Sequence, residues 1–174
     1  NLMKNLVIGQ SGGPTAVINA SLYGAVKAFK ESGTDGHVLG MINGIEGFLA
    51  DHVMDLSTDL SDEELGLLKL TPAAYLGSCR YKLPADLESE VYPAIFDNFR
   101  EMNIGYFLYV GGNDSMDTVD KLSRYAEKIG SDVKFIGIPK TIDNDLVLTD
   151  HTPGFGSAAK YVASTVREIV LDAS

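Results

Sequence analysis

The sequence predicts an α/β fold in which a parallel sheet carries helices on both faces. Short apolar runs alternate with longer segments whose apolar residues recur at spacings of three and four, and these are the patterns of buried strands and amphipathic helices. Such an alternation favours right-handed crossover connections and hence parallel strands. The predicted strands are 6–8, 38–42, 106–110 and 133–138, and the predicted helices are 16–30, 88–103, 116–129 and the segment from 155 onward.

Local signals refine this outline. Pro14 suits the first turn of the first helix, where its missing N–H leaves no helical bond unmade. Residues 44–85 give weaker signals, although Ser61 and Glu64 have the spacing of a capping box at the start of a short helix. The polar segment 143–154 predicts a loop.

Length and composition exclude several classes of protein. The chain has 174 residues, a formal net charge of −10 and one cysteine, and its length fits a single domain. The acidic balance argues against nucleic acid or an anionic membrane as a partner, although backbone N–H groups can still hold a phosphate. A single cysteine excludes a disulfide framework and is consistent with a reducing, cytoplasmic location. No apolar run reaches the roughly 18 residues of a membrane span.

Glycines and polar residues follow the predicted strands, at the positions where ligands bind in open parallel sheets. Gly12 and Gly13 follow the first strand, and such a pair lets backbone N–H groups and the positive end of a helix approach a phosphate. The alternative is a plain tight turn, since the spacing fits neither the dinucleotide fingerprint nor the P-loop. The Gly-Gly-Asn-Asp-Ser run at 111–115 is either a second phosphate-binding turn or a helix start capped by Asp114 or Ser115.

The segment richest in reactive groups is Pro-Lys-Thr-Ile-Asp-Asn-Asp at 139–145, directly after the last predicted strand. Its two carboxylates, amide, hydroxyl and lysine exceed what a loop needs to satisfy its backbone. The set suits phosphoryl transfer, which requires positioning and neutralisation of charge. One carboxylate could take a proton from an attacking hydroxyl, another could hold Mg²⁺, and the lysine could neutralise phosphate oxygens.

These motifs, in this order, closely resemble the 6-phosphofructokinase family. The resemblance rests on the first Gly-Gly turn, Leu-Gly-Ser-Cys-Arg at 76–80 and the runs at 111–115 and 139–145, and it covers essentially the whole chain. It implies a Rossmann-like domain and an enzyme that phosphorylates the 1-hydroxyl of fructose 6-phosphate with Mg²⁺ in glycolysis. Because members of the family are longer, residues 1–174 are expected to be the N-terminal phosphoryl-donor-binding domain, without the C-terminal sugar-phosphate domain.

The resemblance also implies a role for each matching residue. Asp143 is the expected general base, and Thr141, Ile142 and Asp143 are expected to contact fructose 6-phosphate. Arg80 and Lys140 are expected to stabilise charge on the transferring phosphoryl group and on the leaving group. The expected donor-binding residues are Gly12, Gly13, Arg80, Gly112, Asp114 and Lys140.

Asn113 and Asp145 are the expected metal ligands. Asn113 stands where many relatives have an aspartate, and its uncharged amide oxygen coordinates Mg²⁺ more weakly than a carboxylate does. Asp114 could therefore take over part of the role. Cys79, within the 76–80 segment, is expected to be an inert buried thiol.

Two positions bear on the phosphoryl donor. Members that use ATP resemble Gly-Gly-Asp-Gly at the second turn and Pro-Gly-Thr-Ile-Asp-Asn-Asp at the third, whereas this chain has Asp114 and Lys140 in place of those glycines. Asp114 would fill the space of a nucleotide's α-phosphate and repel it, and Lys140 would stabilise the leaving group of diphosphate. The pair resembles the diphosphate-using branch. ATP is the alternative donor, and a non-catalytic phosphate-binding relative is the second alternative, against which the intact Thr-Ile-Asp sequence argues.

The chain opens at Asn1 rather than at methionine and stops inside a helical pattern, so we expect it to be a piece of a longer protein. The resemblance implies that the full-length enzyme is a homo-oligomer, a dimer or a tetramer, because a neighbouring subunit supplies an arginine to the sugar site. The 174-residue piece alone is therefore expected to bind the donor feebly and not to turn over.

Overall fold

The structure, a computed structural model, describes residues 4–173 and has five strands and six helices there. The strands are β1 (Asn5–Gln10), β2 (Val38–Met41), β3 (Val53–Asp55), β4 (Ile104–Gly111) and β5 (Lys134–Pro139). The helices are α1 (Ile18–Glu31), α2 (Gly44–Leu49), α3 (Asp62–Leu67), α4 (Val91–Glu101), α5 (Asn113–Ile129) and α6 (Phe155–Asp172).

All five strands belong to one sheet with the order β3-β2-β1-β4-β5. The pairs β1–β2, β1–β4 and β4–β5 are parallel, as predicted, so the expectation of an α/β fold is confirmed. The expectation of a wholly parallel sheet is wrong at one edge, where β3 pairs antiparallel with β2. Neither β3 nor α2 was predicted, because β3 has three residues and α2 has six, too few to establish a period.

Two helices begin where the sequence did not place them. α1 begins at Ile18, so Pro14 precedes the helix instead of lying in its first turn; Ile18 N–H closes an irregular turn onto the Thr15 carbonyl at 3.2 Å. α5 begins at Asn113 with Gly112 as its N-cap residue and without a side-chain cap. A cap formed by Asp114 or Ser115 is therefore excluded, because both lie inside the helix.

The capping box of α3 is confirmed. Ser61 Oγ accepts a hydrogen bond from the Glu64 N–H at 3.2 Å, and the Glu64 carboxylate accepts one from the Ser61 N–H at 2.9 Å. The two reciprocal bonds satisfy N–H groups that the first helical turn leaves without a partner.

The sheet is covered on both faces, as predicted. Alternate residues of β1 point to opposite sides: Val7 joins one apolar core, and Leu6 and Ile8 join the other. The first core packs against α2, α4 and α5, and the second packs against α1 and α3. Because β1, β4 and β5 are neighbouring parallel strands, their carboxyl ends lie at the same edge of this covered sheet.

The segment 143–154 is a loop, as predicted, and leads into α6. None of the α6 side chains is buried, and several large apolar ones are exposed: Tyr161, Val162, Val166, Ile169 and Val170. Within residues 4–173, no helix is long and apolar enough to cross a membrane.

Candidate active site

Three turns meet at the carboxyl-terminal edge of the sheet. β1, β4 and β5 are neighbouring parallel strands, so the chain leaves each of them on the same side. The turns are residues 11–15 after β1, 112–115 after β4 and 140–145 after β5. The structure therefore brings together the segments that the sequence singled out.

The first turn is fixed by its backbone. Gly12 has a φ of +77°, a backbone conformation that residues other than glycine rarely adopt. Ser11 N–H donates to the Val110 carbonyl at 2.9 Å, and Gly12 N–H donates to the Cys79 carbonyl at 3.2 Å. Ser78 Oγ returns a bond to the Gly12 carbonyl at 2.5 Å. The glycine turn and the segment that carries Arg80 are consequently held against each other.

Lys140 links the first and third turns. Its side chain is buried, and its ammonium group donates to the Gly13 carbonyl. Its backbone N–H donates to the Gly111 carbonyl at 2.9 Å, which ties it to the end of β4 as well. Burial lowers the pKa of Lys140 below its ordinary value, the positive charge of Arg80 lowers it further, and the negative charge of Asp143 partly opposes both effects.

Two clefts open at this edge, and Lys140 lies in the wall of both. The cleft on the Arg80 side, which we call the arginine cleft, has a volume of about 400 Å³ and is also lined by Gly12 and Asp114. The cleft on the Asp143 side, the aspartate cleft, has a volume of about 270 Å³. The two share Gly13, Gly112, Asn113 and Lys140. A cation shared by adjoining clefts suits transfer of an anionic group from one cleft to the other.

The third turn is held by side chains acting on its own backbone. Thr141 Oγ1 accepts a hydrogen bond from the Asp143 N–H at 2.9 Å. Asn144 has a left-handed backbone with φ of 58°; its amide donates to the Asp150 carbonyl at 3.1 Å and accepts from the Thr152 N–H at 2.9 Å. These bonds close the loop, so that the Asp143 carboxylate lies exposed on the aspartate cleft.

The two expected metal ligands lie next to each other. Asn113 Nδ2 donates a long hydrogen bond to Asp145 Oδ2 at 3.4 Å, and both residues line the aspartate cleft. Among residues 4–173, no group of three or more His, Cys, Asp or Glu could by itself hold a metal ion. An amide oxygen and one carboxylate nevertheless fit Mg²⁺, which commonly takes one or two protein ligands and completes its shell with water and substrate phosphates.

Asp114 has a partner that the sequence did not reveal. Its carboxylate lies 3.1 Å from the ammonium group of Lys82, and both side chains are largely exposed. Lys82 comes two residues after Arg80, and its ion pair with Asp114 connects the Arg80 segment to the start of α5. Its separation of 32 residues from Asp114 gives no local pattern that could have predicted the pair.

A buried polar pair behind the first turn was also missed. Gln10 Nε2 donates to Asn19 Oδ1 at 3.0 Å, and the Gln10 amide oxygen accepts from the Leu76 N–H at 2.9 Å. Asn19 donates to the carbonyl oxygens of Thr71 and Ala73, each at 2.8 Å. This network attaches residues 71–76, and so the Arg80 segment that follows, to β1 and α1. The only sequence signal was a polar residue at the apolar end of a strand.

Cys79 is buried, as expected, with its sulfur 3.8 Å from the Tyr109 hydroxyl. Burial also raises the pKa of the Tyr109 hydroxyl, which keeps it protonated. Both side chains are buried and therefore support the site from the core.

Comparison with known proteins agrees with these features. Residues 5–174 match the model of the family described as Phosphofructokinase. The pyrophosphate–fructose 6-phosphate 1-phosphotransferase of Halomonas elongata is 46% identical over 171 residues, which are 97% of this chain and 40% of that protein. The sulfofructose kinase of Alkalicoccus urumqiensis is 39% identical over 167 residues, 96% of this chain and 42% of that protein.

A solved structure agrees with the fold as well. The pyrophosphate-dependent phosphofructokinase of Marinobacter aquaeolei superposes with a TM-score of 0.83 at 45% identity, covering 97% of this chain and 41% of that one. The chain thus spans about 40% of the length of the relatives it matches. The family model covers nearly every residue, and the three turns of the family motifs converge in space as the sequence predicted. The chain belongs to the phosphofructokinase family.

Proposed function

We propose that this chain is the donor-binding part of a longer enzyme that transfers a phosphoryl group from diphosphate to the 1-hydroxyl of fructose 6-phosphate. The position of Lys140 in the wall between two clefts carries the proposal. It places a buried cation between an arginine cleft that suits the donor and an aspartate cleft that holds the candidate base. The Halomonas elongata relative, which is named for this reaction, supports the same proposal.

The residues divide the chemistry between them. The Asp143 carboxylate takes the proton of the sugar 1-hydroxyl as that oxygen attacks the nearer phosphorus of diphosphate. The new O–P bond forms as the bridging P–O bond breaks, giving fructose 1,6-bisphosphate and phosphate. Lys140 and Arg80 stabilise negative charge on the transferring group and on the departing phosphate. Thr141 and Ile142 contact the sugar phosphate, and Gly12, Gly13 and Gly112 line the path of the donor.

Asp114 and Lys140 favour diphosphate over ATP as the donor. Asp114 lies at the start of α5 on the arginine cleft, where its carboxylate takes up space and repels a nucleotide's α-phosphate. The positive end of α5 and the Lys140 ammonium group remain available to an anion without an adenosine. ATP is the second candidate donor, because the family resemblance includes members that use it.

Mg²⁺ is the proposed metal ion. Asp145 would hold it through a carboxylate oxygen, and Asn113 would add an amide oxygen once its side-chain amide, which now turns its nitrogen towards Asp145, is turned over. When bound, the ion neutralises charge on the donor phosphates. We further propose that the full-length protein acts in glycolysis in the cytoplasm, as a homo-oligomer whose neighbouring subunit completes the sugar site.

Steady-state phosphorylation of fructose 6-phosphate by the full-length protein, with diphosphate and Mg²⁺, tests this function. Asp143→Asn is expected to lower kcat by about 10³- to 10⁴-fold while the KM for diphosphate stays within about threefold, because the base acts on the acceptor. Asp35→Asn, an exposed aspartate before β2, is the matched control and should retain full activity. Absence of turnover with either donor in the wild type would support the non-catalytic alternative, and turnover by the 174-residue piece alone would contradict the proposed division between two domains.

A further inference from the structure

Asp114 creates an electrostatic conflict in the proposed donor site. Its carboxylate lines the same cleft as Arg80 and Lys140, where a donor with several negative charges would bind. A carboxylate that repels the α-phosphate of a nucleotide also repels diphosphate unless its charge is offset. The arginine cleft therefore needs a cation that acts on Asp114 itself.

Lys82 meets that need. Its Nζ lies 3.1 Å from Asp114 Oδ1, at the first turn of α5. The side chains of Lys82 and Asp114 are 71% and 72% exposed, and such solvated pairs contribute little to folding stability. A role in binding the donor therefore explains the position of this ion pair beside the arginine cleft better than a role in folding does.

The backbone around Lys82 is fixed on both sides. On one side, the Cys79 carbonyl accepts hydrogen bonds from the Gly12 N–H and from Ser11 Oγ, each at 3.2 Å. On the other, the Leu83 carbonyl accepts one from Lys121 Nζ of α5 at 3.0 Å. The three residues between these anchors run from the glycine turn to α5. These main-chain contacts, in addition to the ion pair itself, therefore position Lys82 next to Asp114.

We propose that Lys82 is a positioning residue that determines donor specificity. It holds the Asp114 carboxylate at the helix start and offsets its charge, so that Asp114 excludes a nucleotide by its bulk while the cleft still admits diphosphate. This inference rests on the proposed function, because it presupposes that diphosphate binds in the arginine cleft.

Donor kinetics of the full-length enzyme test the inference. Lys82→Met is expected to raise the KM for diphosphate about tenfold, with kcat and the KM for fructose 6-phosphate within about twofold of the wild type. Lys82→Arg should restore most of the affinity, because the guanidinium also pairs with a carboxylate. Lys128→Met is the matched control, because Lys128 lies at the far end of α5 from Asp114 and forms an ion pair with Glu88. It should leave all three parameters unchanged.

The Asp114→Gly background separates a role through Asp114 from direct contact with the donor. With the carboxylate gone, Lys82→Met should change the KM for diphosphate by less than about twofold, which is the scatter expected for two sites that do not interact. An unchanged KM in Lys82→Met alone, an equal loss in kcat and in both KM values, or a full tenfold loss in the Asp114→Gly background would each overturn the inference. A wild type without diphosphate activity would instead overturn the proposed function.

Discussion

Lys140 donates a hydrogen bond from its ammonium group to the carbonyl oxygen of Gly13, which lies 127 residues earlier in the chain. The bond closes the first turn of the site onto the third and keeps a buried cation at the wall between the two clefts. A buried lysine costs free energy unless it is well hydrogen-bonded or meets an anionic ligand. The hydrogen bond to the Gly13 carbonyl offsets only part of the cost of burying the Lys140 charge. A bound anion would offset more of it, which is consistent with an anion-binding site.

Removal of the Lys140 charge should weaken the chemical step. Lys140→Met is expected to lower kcat with diphosphate by about 10²-fold or more, because a preorganised cation at the transferring group is lost. The KM for fructose 6-phosphate should change less than kcat does, because the Lys140 charge acts mainly on the transferring phosphoryl group in the transition state. Steady-state kinetics of the full-length variant check this prediction. A kcat within about threefold of the wild type would show that Lys140 does not stabilise the transition state.

The pH profile should show the titration of Lys140. Its pKa is lowered by burial and by Arg80, so the ammonium group loses its proton at a lower pH than an ordinary lysine does as the pH rises. If the protonated form is the active one, kcat/KM for diphosphate falls on the alkaline side through that lowered pKa. Lys140→Arg should abolish this alkaline limb, because a guanidinium stays protonated. Persistence of the limb in Lys140→Arg would assign it to another group.

Asn144 should act on catalysis through the loop that it closes. Asn144→Gly keeps the left-handed backbone but loses the bonds to Asp150 and Thr152, and it is expected to lower kcat about tenfold by loosening Asp143. Asn144→Ala adds backbone strain of about 1 kcal/mol and should be slower still and less stable. Hydrogen exchange of the Thr152 amide measures the loosening directly. If the Thr152 amide of Asn144→Gly exchanged at the wild-type rate, the proposal that Asn144 holds this loop closed would be contradicted.

Asn19 should matter for stability more than its polar character suggests. Its side-chain amide makes four buried or half-buried hydrogen bonds, to Gln10, Thr71, Ala73 and Tyr75. Asn19→Ala leaves these groups without partners and is expected to cost about 3 kcal/mol in the free energy of unfolding.

Asn98→Ala is the comparison for Asn19, because the Asn98 amide donates one bond, to the Phe48 carbonyl, at 2.8 Å. It should cost about 1 kcal/mol. Urea unfolding of the two variants measures both values, and equal losses would show that the network behind the first turn is not cooperative.

The sequence predicts the parts of the site in which reactive side chains come directly after a strand, and it predicts the other parts less well. The 139–145 run stands out because reactive groups come directly after a buried strand, and parallel strands then gather such runs at one edge. α2 has two glycines and a poor intrinsic preference for helix, yet it forms because Ile45 and Phe48 pack into the core. Gly47 is required there, since a Cβ would lie 1.6 Å from the Ile42 carbonyl oxygen.

Long-range pairs lay beyond local reasoning. The contact of Lys82 with Asp114 depends on where the 76–83 segment runs, and that path is fixed by main-chain bonds to the glycine turn and to α5. Periodicity also predicted α6 as an amphipathic helix without showing that its apolar side chains are exposed in residues 4–173. Spacing along the chain identifies the face of an element but not the surface that it meets.

The donor preference of the full-length enzyme tests the central claim most directly. The measurement is kcat/KM for diphosphate and for ATP, each with saturating fructose 6-phosphate and Mg²⁺. Because Asp114 obstructs a nucleotide and Lys140 serves the diphosphate leaving group, we predict a preference for diphosphate of about a hundredfold or more. A preference for ATP would contradict the roles given to Asp114 and Lys140, although the chain would remain a member of its family.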